Sequence, residues 1–172
     1  MRKFLFILVA VVFCGCTSTY KYDLDDNTPS LEQNKSIAIA VSDDGSYGSD
    51  VYTGSGRTLS NEIKLALKPY ANRATILRNM SVLEDFSDEE IEKYDYIVIP
   101  EIIHWEDRAT AWSGIPDKVE ISVEIYNSQR ELLKSAILQG KSASMTLSTN
   151  DPSELLKKPL EIFFKSAFEV SE

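Results

Sequence analysis

The densest run of chemically capable side chains is His104-Trp105-Glu106-Asp107-Arg108-Ala109-Thr110-Ala111-Trp112-Ser113-Gly114, which holds the chain's single histidine and both tryptophans. A histidine oriented by a carboxylate is a general base. A hydrolase also needs a nucleophile beside it, and no serine here sits in a Gly-x-Ser-x-Gly elbow. If residues 104–112 are extended, alternation puts His104, Glu106, Arg108 and Thr110 on one face and Trp105 and Asp107 on the other. The adjacent carboxylates Glu106 and Asp107 then point opposite ways, which defeats a paired-acid glycosidase. One histidine with scattered acids also matches no metal-ligand spacing. The expectation is a non-enzyme with no catalytic residue, no metal and no cofactor.

Two readings of the run compete. A turn over Ser113 to Asp117 that sets Trp112 opposite Lys118 would place Arg108 opposite Ser122, with Glu120 and Glu124 on its diagonals. That describes a solvated sheet face laced with ion pairs, each worth a few tenths of a kcal/mol. Alternatively Trp105 and Trp112 are aromatic anchors and Arg108 a polar contact, a composition typical of interface hot spots. A second candidate is the loop carrying Gly45, Gly48, Gly54 and Gly56 with Tyr47 and Tyr52. It precedes a helix, and helix starts bind anions. It lacks the lysine and Ser/Thr ending of a phosphate loop, so Ser55 is expected to cap the helix. Tyr47 and Tyr52 are left as contacts for a glycan or a protein.

The best-defined chemistry is covalent. Arg2 and Lys3 precede the apolar run Phe4 to Phe13, which ends in Cys14-Gly15-Cys16. A cationic start, a short apolar run and a small-residue exit describe a signal peptide, and the run is about half the length needed to span a bilayer. Phe13-Cys14-Gly15-Cys16 resembles the bacterial lipobox, which implies cleavage before Cys16 and acylation of its sulfur. Several acyl chains hold a protein far more firmly than one, at about 0.8 kcal/mol per buried methylene. Thr17 follows the cysteine where an Asp would suggest inner-membrane retention, so the expected location is the periplasmic face of the outer membrane.

Residues 1–15 are expected as signal peptide, 16–34 as a polar lipidated tether and 35–172 as one α/β domain. Ser36 to Val41, Ala74 to Leu77 and Tyr96 to Ile99 are short apolar runs that suit buried strands, with Pro100 marking a bulge or edge. Val119, Ile121, Val123 and Ile125 alternate with Glu120, Ser122, Glu124 and Tyr126, a strand with one wet face. Asn127 to Arg130 turns into a further strand over Leu132 to Leu138. Helices are signalled by the stripe Leu59, Ile63, Ala66, Leu67 and Tyr70, by a capping box at Ser87 to Glu90, and by Asp151-Pro152-Ser153-Glu154, with Pro159 breaking or restarting the last one. The order strand-helix-strand-helix-strand-strand-strand-helix predicts a mixed five-stranded sheet with helices packed on it.

The 18 basic and 27 acidic residues give a net charge of −9, and losing Arg2 and Lys3 leaves 16 basic residues, about −11. That balance argues against nucleic acid or anionic lipid as a partner, since both demand basic patches. With Cys14 removed and Cys16 acylated, no thiol remains for a disulfide or a metal.

Asp44-Gly45-Ser46-Tyr47-Gly48, Tyr52-Thr53-Gly54-Ser55-Gly56, Trp105-Glu106-Asp107-Arg108 with Trp112-Ser113-Gly114, Pro116-Asp117-Lys118, and Asp151-Pro152 with Leu155-Leu156 together resemble one family. It is a group of uncharacterised Gram-negative lipoproteins catalogued as a domain of unknown function. The element order is similar to the amino-terminal domain of TolB and to outer-membrane lipoproteins that activate penicillin-binding proteins. The resemblance implies a TolB-like sandwich and a membrane partner through Cys16. It assigns no activity, since fold does not fix function. From the residues, the expected partner is an envelope protein, with peptidoglycan the alternative.

Overall fold

The computed structural model describes residues 18–24, 29–108, 115–143 and 151–169. Cys16 and Trp112 lie outside the described residues. The elements are β1 (Thr19–Leu24), β2 (Lys35–Ile39), the two-residue strands β3 (Ser46–Tyr47) and β4 (Asp50–Val51), α1 (Ser55–Leu67), β5 (Ala71–Ile76), a 3-10 turn (Leu83–Asp85), α2 (Asp88–Ile91), β6 (Tyr96–Glu106), β7 (Lys118–Asn127), β8 (Leu132–Lys141) and α3 (Glu154–Phe168). The main sheet has six strands in the order β1-β8-β7-β6-β2-β5. β2 pairs in parallel with β5 and β6, and the β6-β7-β8-β1 half is antiparallel. The mixed α/β expectation is met, with one strand more than expected.

The extra strand is β1, cut from the segment expected to be a tether. Its residues alternate exposed and half-buried, and Tyr20, Tyr22 and Leu24 pack against the main core. Pairing with β8 satisfies its inner edge. Residues beyond it are also part of the fold: Leu31 is buried and donates its backbone N–H to Ala167 O, and Gln33 bonds Phe168 O.

One face of the sheet carries α1 and α3. Ile37, Ile39, Val98, Val119, Ile121, Val123 and Ile125 meet Leu59, Ile63, Leu67, Leu160, Phe163 and Phe164 there. Each such side chain contributes about 1.5–3 kcal/mol on burial. The six buried leucines and phenylalanines of α3 therefore outweigh the roughly 3 kcal/mol that an interior proline costs, and α3 runs unbroken through Pro159. On the opposite face, α2 and the 3-10 turn cover β2, β6 and the end of β7, through Phe86, Ile91, Ala38, Ala40, Ile97 and Tyr126. Arg130, at φ 63°, holds this small layer by donating to Leu83 O, Phe86 O and Asp88.

The β6 strand decides where the candidate residues go. Its ladder to β2 ends at Val98, because the next backbone donor facing β2 would belong to Pro100. Tyr96, Val98 and Ile102 face α1 and α3, whereas Ile97 and Ile99 face α2. A bulge between Ile102 and His104 then shifts the register. The extra residue, Ile103, inverts the alternation, so Trp105 joins the helix-facing core and His104 and Glu106 point to the other side.

Candidate functional site

Three elements converge at the far end of β6. Glu106 is directly opposite Lys118 on β7, and His104 is opposite Glu120. The expected register is corrected: Lys118 faces Glu106, not Trp112, and Glu101 takes the place opposite Ser122 that was assigned to Arg108. β6 ends at Glu106 and β7 begins at Lys118; residues 109–114 between them lie outside the described residues. The third element is the glycine-bearing segment, whose strand β3 lies against β6.

Glu106 is the centre of the cluster and only 1 % exposed. Arg108 Nη1 donates to Glu106 Oε1 at 2.9 Å, while His104 Nε2 and Lys118 Nζ each sit 3.2 Å from Oε2. Burial by itself would raise the carboxyl pKa, but hydrogen bonds from His104, Lys118 and Arg108 outweigh it and hold Glu106 below its ordinary value. Arg108 is fixed from further directions. Its Nη1 donates to Tyr47 Oη at 3.3 Å, its guanidinium carbon stands 5.4 Å from the centre of the Tyr47 ring, and its backbone N–H donates to Asp117 Oδ1 at 2.7 Å. The Tyr47 ring also meets His104 edge-on at 5.4 Å. Asp117, fully buried, closes the base through a pair of bonds with Ser142. Next to it, burial raises the Asp107 pKa, and repulsion from Asp117 and Asp151 raises it further.

Of the expected contact residues, Tyr47 and Arg108 therefore meet at one exposed spot. Trp105 does not: it is 4 % exposed, inside the main core. This corrects its role as an exposed anchor, and the Ile103 bulge is the physical reason. Tyr52 is half-buried and packs against the same core. Gly45 lies directly over Trp105, since a Cβ on Gly45 would stand 2.5 Å from Trp105 Cβ. Of the two residues that complete the site, His104 is legible in the sequence as a base that a neighbouring carboxylate could orient, and Lys118 only as a neighbour of the hairpin; their convergence on Glu106 depends on the true register.

The start of α1 is a different case. β2 has parallel neighbours on both sides reached by opposite crossovers, so the crevice beyond its carboxyl end is where ligands bind in open α/β sheets. A concavity of about 640 Å³ lies there, lined by Ser42, Asp43, Asp44, Gly54 and Arg57. Its anion site is already filled from within. Asp44 accepts from the backbone N–H groups of Gly54 (2.9 Å) and Gly56 (3.0 Å). Asp44 thus caps the helix in place of Ser55, whose hydroxyl accepts from Gly45 N–H instead.

Chemically, the His104–Glu106 pair has the form of a base and its orienter. Among the described residues no serine, threonine or cysteine is hydrogen-bonded to His104, and no group of metal-binding side chains occurs. What the cluster does is present an arginine and a tyrosine edge with fixed geometry.

Comparison with solved structures finds the fold in PelC from Paraburkholderia phytofirmans, described as a dodecamer. It is 10 % identical with a TM-score of 0.66, the match covering 90 % of this chain and 100 % of that one. A Xanthomonas campestris protein of the DUF330 family gives a TM-score of 0.46 at 13 % identity, over 82 % of this chain and 85 % of its own. No curated protein matches the sequence. A family model described as a domain of unknown function, DUF4823, matches residues 29–166, which span the whole cluster from Tyr47 to Ser142. The chain belongs to the DUF4823 family.

Proposed function

We propose that this is a lipoprotein anchored through Cys16 at the periplasmic face of the outer membrane, and that its domain is a non-catalytic module that binds an envelope protein. The observation that carries the binding reading is the Tyr47–Arg108 pair, held at the surface by the buried carboxylate of Glu106. Tyrosine and arginine are the side chains that most often dominate interface energetics, and pre-organising them lowers the entropic cost of binding. The likeness to the TolB amino-terminal domain belongs to this reading as a shared element order and carries no partner with it. PelC, with a similar fold, is a dodecamer, so a second copy of this chain is one protein the surface could meet.

A photoreactive residue at Tyr47 in living cells should give a discrete adduct, and the same residue at Leu132, at the opposite end of the sheet, none. Adducts at multiples of the mass of the processed, acylated chain would identify self-association. Absence of any Tyr47-specific adduct sinks the protein-binding reading. The peptidoglycan alternative loses two of its stacking platforms, since Trp105 is buried and Tyr52 half-buried. Co-sedimentation with purified peptidoglycan would restore it. The anchoring reading is tested separately: Cys16→Ser should abolish palmitate incorporation and release the protein from membranes.

A further inference from the structure

The half of the sheet that α2 leaves uncovered has a composition of its own at one end. On the face away from α1 and α3, Thr19, Lys141 and Lys118 lie side by side across β1, β8 and β7, and Lys21, Gln139, Glu120 and His104 form the next row. A shallow concavity of about 310 Å³ lies over these residues, with Glu120 its one acidic wall. Lys118 and Lys141 are directly opposite one another, and like charges in that position repel. Lys118 is partly neutralised by Glu106. Lys21 and Lys141 make no ion pair among the described residues, on a chain whose net charge is −9. Such a juxtaposition is stabilised when an anion sits between the ammonium groups.

The chain itself says which anion is at hand. Two residues, Thr17 and Ser18, separate Cys16 from Thr19, and the three Cα–Cα steps reach at most about 11 Å. Thr19 is in the lysine row, so an acylated Cys16 brings the bilayer surface to this end of the sheet and no other. We infer that the concavity formed by Lys21, Lys118, Lys141 and His104 is a membrane-facing surface that docks on the phosphates of anionic phospholipid headgroups. This rests on the anchored reading above and goes beyond it, because it fixes how the domain stands on the membrane. The Tyr47–Arg108 spot, joined to the same rows through His104 and Glu106, is then presented at the rim of that contact.

The test uses the acylated full chain in phosphatidylcholine vesicles with and without phosphatidylglycerol. Acylation of Cys16 leaves an introduced cysteine as the only thiol, so a fluorophore is placed at Gln139→Cys, in the concavity, or at Gln129→Cys, at the far end of the sheet. With a quencher fixed at headgroup depth, the label at 139 should be quenched in the anionic vesicles and the label at 129 should not. Each lysine near an anionic surface contributes roughly fivefold. Lys21→Glu with Lys141→Glu should therefore return quenching at 139 to its level in neutral vesicles, with an unchanged circular dichroism spectrum. Should that pair unfold, Lys141→Gln alone should weaken the quenching by roughly fivefold. Equal quenching of both positions, or quenching indifferent to phosphatidylglycerol and to the lysines, overturns the proposal. So does saturation of the label's response by inorganic phosphate without vesicles, which would mean a free-anion site. If Cys16 takes no lipid in the cell, the anchored reading fails by itself; a lipid attached chemically to Cys16 then runs the same comparison.

Discussion

Glu106 joins a nearly complete loss of solvent to three hydrogen-bonding neighbours, His104, Arg108 and Lys118, that remain 33 to 46 % exposed. Exposed ion pairs contribute little and fully buried ones are offset by desolvation, so this half-exposed arrangement falls between the two. Removing its charge while keeping its shape, by Glu106→Gln, should cost about 2 kcal/mol near neutral pH, the worth of a charged hydrogen bond. The pH dependence has a definite sign. A carboxylate whose folded pKa is depressed contributes stability above its unfolded value, and loses it as pH falls through the folded value. Wild-type stability attributable to Glu106 should therefore disappear below the ordinary glutamate value of 4.5. Asp107, whose pKa is raised, acts in the opposite sense. The quantity to measure is thus the difference between wild type and Glu106→Gln in denaturant titrations from neutral pH down to about pH 3, which should shrink towards zero. A difference that stays constant would show that Glu106 is held by packing alone.

At the scale of elements, the alternation in β7 was legible because every second residue from Val119 to Ile125 is apolar and all of them are core. In β6 the same rule applied from Tyr96 onwards puts Trp105 on the wrong side, because one inserted residue at Ile103 inverts it. No residue type announces that bulge. The partner of Arg108 was illegible for a different reason: Tyr47 is 61 positions away and arrives only when β3 folds over β6. Gly45 makes that approach feasible. Gly45→Ala should destabilise the domain by about 1–3 kcal/mol through overpacking, since its Cβ would fall 2.5 Å from Trp105 Cβ and 2.8 Å from Ile102 Cγ2. Chemical denaturation measures the loss. An unchanged midpoint would mean that the β3–β4 segment is not seated on Trp105 as described.

For the whole molecule, element order and the mixed sheet followed from hydrophobic periodicity, whereas the role of residues 19–24 did not. Their polar composition reads as linker, although Tyr20, Tyr22 and Leu24 keep a period of two. Such a period over a single short edge strand becomes decisive only when β8 is there to receive it. The consequence is kinetic. Thr19 pairs with Lys141, more than a hundred residues later in the chain, whereas β6, β7 and β8 are joined by local connections. Closing so long a loop is entropically costly and is favoured only after the rest of the sheet exists to reward it. Pulsed hydrogen exchange during refolding should therefore find the amides of residues 19–24 protected last, after those of β7 and β8. The strand that comes first among the six in the chain would then be the last to join the sheet, so its edge of β8 stays open to other partners until the rest of the domain has formed.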